Sequence, residues 1–186
     1  MTRQFNHEII EPIRNRWSPR AFSAKAVDDI DILALMEAAR YAPSCFNEQP
    51  WRFIIARQAD TLEKARSALT DKNRRWANRA PVLIIVLARK NFEKNHEPNH
   101  WHTFDAGTAW GFLALEAQHR GLITHAMAGF SPEAVRNAFS VNDEYTIVTI
   151  IAVGYMGDRD ELPEDLREKE RPGTRKSLAE LVLAGL

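Results

Sequence analysis

From position 14 the chain reads Arg14-Asn15-Arg16-Trp17-Ser18-Pro19-Arg20-Ala21-Phe22, with three arginines in seven residues and few acids near them. Arg16, Ser18 and Arg20 alternate, so on extended backbone they project to one side. A hydroxyl between two guanidinium forks suits a phosphate group, each charge-assisted bond contributing about 1.5–3 kcal/mol. By composition alone, the same cluster reads as a solvated basic face. A second stretch, Pro43-Ser44-Cys45-Phe46-Asn47-Glu48-Gln49-Pro50-Trp51-Arg52-Phe53, carries a different chemistry. Its two prolines fix φ, remove two backbone donors and disfavour helix before them, which makes a rigid loop. Ser44, Asn47 and Gln49 offer groups that both donate and accept hydrogen bonds, a surface fitted to a flat, polar-edged ring. Taken alone, such a loop also reads as a turn whose Ser and Asn cap neighbouring backbone groups.

These stretches need elements to position them. From 28 to 40 the apolar residues Ile32, Leu35, Met36 and Ala39 follow i, i+3, i+4, i+7, with Asp28 as N-cap, so a helix delivers the chain to the Pro43 loop. Strands are expected over 51–56, 82–88, 122–126 and 145–154, the second and fourth being the most β-branched, and a helix over 61–69. The polar run 70–79, which holds Asn73, Arg74 and Arg75, reads as a surface turn. Residues 104–120 form a helix rich in Gly and Ala that ends at Gly121, and its small residues allow close approach on several sides. Ser131-Pro132-Glu133 opens a further helix with an N-cap, a proline at N1 and an early acid. Gly129, just before it, has no side chain to block a ligand.

Three of the six histidines, His96, His100 and His102, fall in the aperiodic run 90–103. Pro98 interrupts the helical spacing that a chelating pair needs and there is no H-E-x-x-H, so no metal site is expected. The imidazoles and aromatics of this loop are expected to border a substrate pocket. Beyond Gly157 the composition shifts to charge and proline, and apolar character returns at Leu178, Leu181, Val182 and Leu183, as if the end docks on another surface.

With 186 residues, 45% hydrophobic and 27% charged, the chain fits one domain with its own core. Twenty-five basic and 25 acidic residues leave no net charge to draw it to nucleic acid or anionic lipid. No apolar run is long enough to span a bilayer, and the start lacks the apolar centre of a signal peptide. The single cysteine, Cys45, excludes an internal disulfide and fits a reducing compartment, so the cytoplasm is the expected location.

Taken together, P-S-x-x-N-x-Q-P-W-R-F from Pro43 and R-x-S-x-R-x-F from Arg16 resemble the flavin-facing loop and the N-terminal signature of the nitroreductase family of FMN enzymes. The basic ending Arg175-Lys176-Ser177-Leu178 resembles that family's C-terminal R-x-x-L. The resemblance runs from about 14 to 178. It implies an α+β fold with a mixed, largely antiparallel central sheet flanked by helices, a single domain over 1–186 whose residues 158–186 dock on a partner, and an intertwined homodimer. It also implies FMN at the subunit interface, held by Arg16, Trp17, Ser18, Arg20, Arg175 and Lys176, with Pro43, Ser44 and Asn47 reaching in from the other subunit. Ala128 and Gly129 would lie over the ring with their backbone amides, and Asn73 would approach it.

Trp17 stands where the family often has a second basic residue, and Pro19 replaces a more ordinary one, so the phosphate site is expected to differ in shape. No G-x-G-x-x-G and no P-loop is present, which agrees with a nicotinamide nucleotide that enters and leaves as a substrate. The expected activity is hydride transfer from NADH or NADPH through the flavin to a nitroaromatic, a quinone or a similar small acceptor. Reductive dehalogenation or another flavin reaction, and non-catalytic flavin storage, are the alternatives. The flavin carries the chemistry, so no side chain is assigned as acid, base or nucleophile.

Overall fold

The computed structural model describes residue 3 and residues 5–185; Met1, Thr2, Gln4 and Leu186, included in the single-domain expectation, lie outside the described residues. Four strands, β1 (Trp51–Ala56), β2 (Val82–Arg89), β3 (Ile123–Met127) and β4 (Tyr145–Gly154), form one sheet in the order β1-β2-β4-β3. All three pairings are antiparallel, with Ile84 opposite Ile55 and Ile151 and a bulge after Val86. The two most β-branched runs are the two central strands. They are apolar along their length because helices cover both faces of the sheet.

One face of the sheet carries Val82, Ile84, Val86, Ile151 and Val153 and packs on α2 (Asp29–Arg40) and α5 (His102–His119) through Ile32, Leu35, Ala109 and Leu113. The other carries Leu83, Ile85, Leu87, Ile150 and Ala152 and packs on α3 (Ala59–Ser67), α4 (Asp71–Ala77) and α6 (Pro132–Phe139) through Leu62, Trp76 and Val135. Each fully buried Leu or Ile contributes about 1.5–3 kcal/mol, so the two clusters hold the frame of the molecule. α5 ends as expected at Gly121, whose φ of 72° is a conformation that other residues rarely adopt. Ser131 caps α6 by accepting from the amide of Ala134 at 3.1 Å.

Three segments depart from the sequence reading. A short helix, α1 (Glu11–Asn15), precedes Arg16 and ends there as the backbone turns extended. The polar run after Leu69 is helix α4 rather than a turn, because Trp76 and Ala77 give it a buried edge that its charge content conceals. The charged end is ordered in two parts. Its first part packs on its own chain: a 3-10 turn (Arg159–Glu161) and α7 (Glu164–Arg167) bury Leu162 and form ion pairs Glu161–Arg79 and Asp165–Arg75, both at 2.6 Å. Beyond Pro172 the chain is exposed through α8 (Leu178–Leu181), and Leu183 is 94% exposed.

Candidate functional site

Residues 17–20 lie outside helix and strand and follow Arg16, whose backbone is already extended at φ −62° and ψ 130°. The next residues continue the sheet: Ser23 donates to the carbonyl of Tyr155 at 2.9 Å and Gly157 to that of Ala21 at 2.8 Å. The basic segment thus hangs from the end of β4. Within it, Arg16 Nη1 donates to the carbonyl of Trp17 at 3.1 Å and to Ser18 Oγ at 3.3 Å. Arg3, which the sequence reading missed, lies across this segment and donates to the carbonyl of Arg16 at 2.7 Å. Arg175 arrives from the far end of the chain. Burial, then Arg3 and Arg175, hold the Arg16 guanidinium below the ordinary arginine value, and burial and Arg175 do the same to Arg3.

None of Arg3, Arg16, Arg20 and Arg175 forms an ion pair among the described residues, although ten such pairs occur elsewhere. The Nε of Arg3 is buried without a partner among the described residues. A buried donor and converging cations without a carboxylate are a cost to the isolated chain that a phosphate dianion would offset. The arrangement therefore fits the phosphate end of FMN. Arg175 Nη1 rests meanwhile on the carbonyl of Thr174 at 2.8 Å, and Lys176 is exposed and makes no hydrogen bond or ion pair among the described residues. Next to the cluster opens a cleft of about 440 Å³ lined by Arg16 and Ser18, by Trp110, Gly111 and Ala114 of α5, and by Ala126 of β3. The small residues of α5 leave that room.

Ala128 and Gly129 follow β3. Asn73, for which the sequence offers both a surface turn and an approach to the ring, projects from α4, and its Nδ2 donates to the carbonyl of Gly129 at 3.0 Å. Thr70 donates to the same carbonyl from its backbone amide at 3.0 Å and its hydroxyl at 3.1 Å. A side chain at position 129 would also crowd its neighbours, since a Cβ there would lie 2.7 Å from Asn73 Nδ2 and 2.8 Å from Thr70 Oγ1.

The loop after Pro43 is held in a conformation of higher energy. Phe46, Asn47 and Gln49 have φ of 50°, 57° and 51°, a region that residues other than glycine occupy at some cost. Two contacts hold it: buried Asp105 on α5 accepts from the amide of Cys45 at 3.1 Å, and Ser44 Oγ accepts from the amide of Gln49 at 3.0 Å. Gln49, though exposed, donates to the carbonyl of Asn47 at 3.0 Å, whereas the exposed Asn47 side-chain amide has no partner among the described residues. Among the described residues no hydrogen bond joins Pro43, Ser44 or Asn47 to the arginine cluster. Asp105 and Gly111, which mark the two places on α5, are about 9 Å apart along the helix.

The loop at 90–103 does not present all its histidines. His102 ring nitrogens lie 2.6 Å from the carbonyl of Asn99 and 2.9 Å from Thr146 Oγ1, so this histidine fixes the loop to β4 rather than bordering a pocket. His96 and His100 are exposed, and Phe92 meets Phe46 edge-on with centroids 6.0 Å apart. A histidine not singled out in the sequence, His125 on β3, lies beneath the arginine segment. Its Nδ1 is 2.9 Å from the carbonyl of Pro19, its ring rests on Trp76 with centroids 4.5 Å apart, and burial, reinforced by Arg20 and Arg16, pushes it down to about 4.

The family model described as Nitroreductase family matches residues 13–73 and 62–155. The chain belongs to the nitroreductase family. A solved oxidoreductase containing FMN shares 32% identity and superimposes with a TM-score of 0.94, covering 99% of this chain and 95% of that one. An uncharacterized 15.4 kDa protein of Mycolicibacterium smegmatis is 32% identical over 72% of this chain and 95% of its own length. A candidate NADH dehydrogenase/NAD(P)H nitroreductase of Archaeoglobus fulgidus is 27% identical over 84% of this chain and 90% of its own. The nitroreductase fold and its antiparallel sheet, expected from the motifs, are those observed.

Proposed function

We propose that this nitroreductase-family oxidoreductase uses FMN to pass reducing equivalents from NADH or NADPH to a small acceptor. The observation that carries this reading is the cluster of Arg3, Arg16 and Arg175 around Ser18, which is without carboxylate partners and open to the α5 cleft. Arg16, Ser18, Arg20 and Arg175 hold the phosphate and ribityl chain, with Arg3 supplying the buried Nε, and the backbone of Ala128 and Gly129 meets the ring. The chemistry that bound FMN supplies is the passage of a hydride from the nicotinamide to a nitroaromatic, a quinone or a similar acceptor.

Pro43, Ser44 and Asn47 complete the site from a second copy of the chain, because within one chain they stand apart from the cluster. The exposed Leu178, Leu181 and Leu183, together with Phe104 and Phe112 on α5, are the apolar surface that such a dimer covers. Sedimentation at micromolar concentration reads the dimer directly; a stable monomer that holds FMN would sink the two-copy site. Anaerobic addition of NADH and of NADPH to the purified yellow protein tests the reaction. Bleaching by either nucleotide and recovery with a nitroarene support it, and bleaching by dithionite alone overturns it.

A further inference from the structure

The described residues include five side chains with a buried polar atom that has no partner, and one of them is a carboxylate. Glu170 is 9% exposed. Its Oε1 accepts from two consecutive backbone amides, Arg20 at 2.7 Å and Ala21 at 2.8 Å, while Oε2 has none. Glu170 forms no ion pair among the described residues, although the segment it holds carries Arg16 and Arg20. Two successive N–H groups converging on one anion make a strong and directional anchor for the peptide that carries them. His125 Nδ1 lies 2.9 Å from the carbonyl of Pro19, so the Pro19–Arg20 peptide is held at both of its polar groups and the Arg20–Ala21 peptide at its amide.

The place of Glu170 in the chain matters as much as its bonds. It lies at the end of the part of the tail that packs on its own core, five positions before Arg175. The same side chain that fixes the backbone bearing Arg16, Ser18 and Arg20 thus fixes the point from which Arg175 departs. Its charge is directed to peptide groups, which leaves the arginines uncompensated.

We infer that Glu170 is a positioning residue of the anion site: its carboxylate, bonded to the amides of Arg20 and Ala21, sets the register between the N-terminal arginines and Arg175. This rests on the reading of that cluster as the phosphate site of FMN. Glu170 touches no phosphate itself. Its removal therefore acts only on the part of affinity that depends on the arginines.

In Glu170→Ala, FMN binding weakens on the order of tenfold or more, from loss of two charge-assisted bonds that hold the site in register, while riboflavin binding stays at the wild-type value. In the cofactor-free protein, the amides of Arg20 and Ala21 exchange with solvent faster in the variant, and amides of the central strand β2 do not. Glu170→Gln keeps a carbonyl acceptor and falls between wild type and alanine in both readouts; it serves alone should the alanine variant not fold. Equal weakening of FMN and riboflavin, or unchanged exchange at Arg20 and Ala21 in whichever variant folds, overturns the role of Glu170. A wild-type protein that binds FMN and riboflavin equally overturns the phosphate site instead, and the exchange measurement then shows whether Glu170 still anchors the segment.

Discussion

Asn73 Nδ2 donates to the carbonyl of Gly129 at 3.0 Å and occupies the space that a Cβ on residue 129 would need. This contact locks the N-terminal turn of α4 to the turn after β3, so the two sequence segments expected near the ring move as one. Gly129→Ala must displace Asn73 or Thr70 and should cost about 1–3 kcal/mol, the range for overpacking a tight site. Removing the obstruction in the double variant Gly129→Ala/Asn73→Ala should recover part of that loss. Urea unfolding of the four proteins of this cycle measures it, and strict additivity would show that the two positions do not share the space.

Asn47 presents its side-chain amide outward, unbonded, from a loop held with φ of 57°. Asn47→Ala should therefore change flavin chemistry more than folding. One lost hydrogen bond at the ring edge is worth about 1 kcal/mol, which for a two-electron couple is about 20 mV in midpoint potential. The stability change should stay below about 1 kcal/mol, the part that arises from alanine's poorer fit to the left-handed region. Spectroelectrochemistry of the bound flavin checks this; a potential and an affinity equal to wild type would leave Asn47 as a turn residue.

The arginine cluster predicts that FMN binds better than riboflavin by a factor on the order of a hundred or more, the equivalent of two charge-assisted bonds. Arg16→Ala, Arg175→Ala and Arg3→Ala should each narrow that gap while leaving riboflavin affinity alone. Lysine at 16 or 175 should restore only part, since an ammonium keeps the charge and lacks the planar fork. Fluorescence titration with both ligands decides it, and Arg3 is the sharpest case because no sequence motif pointed to it.

His125 makes stability depend on pH in a definite direction. Its folded-state pKa of about 4 lies below the ordinary histidine value of 6.5, so as pH falls through this range the folded protein keeps the imidazole neutral while the unfolded chain takes up a proton. This contribution is complete above pH 6.5 and declines as pH falls toward 4, by about 2 kcal/mol between pH 7.5 and pH 5. His125→Phe should keep the packing on Trp76 and lose that slope. Urea midpoints at the two pH values give the comparison.

Much of this was readable in the chain. β2 and β4 announce themselves by unbroken β-branched runs, α2 by its period, and α6 by Ser131 and Pro132, because burial and capping act on neighbours in sequence. That the stretches from Arg16 and from Pro43 lie between the long helices and strands was likewise legible from the alternation of Arg16, Ser18 and Arg20 and from the prolines at 43 and 50. What could not be read depends on chain segments folding back. Arg3, Glu170 and His125 carry no local signature, and their roles come from meeting residues 13, 150 and 106 positions away. α4 was hidden for another reason: one tryptophan supplies nearly all of its buried surface.

The bond from Glu170 to Arg20 closes a loop of 150 positions, and Arg175 meets Arg16 from still further along the chain. During synthesis at roughly 5–20 residues per second, the second half of this anion site emerges on the order of 8–30 s after the first. The sheet and both of its apolar faces can be complete by then, up to residue 154. In the proposed phosphate site, that end of the cofactor finds its full set of arginines only once nearly the whole chain has emerged.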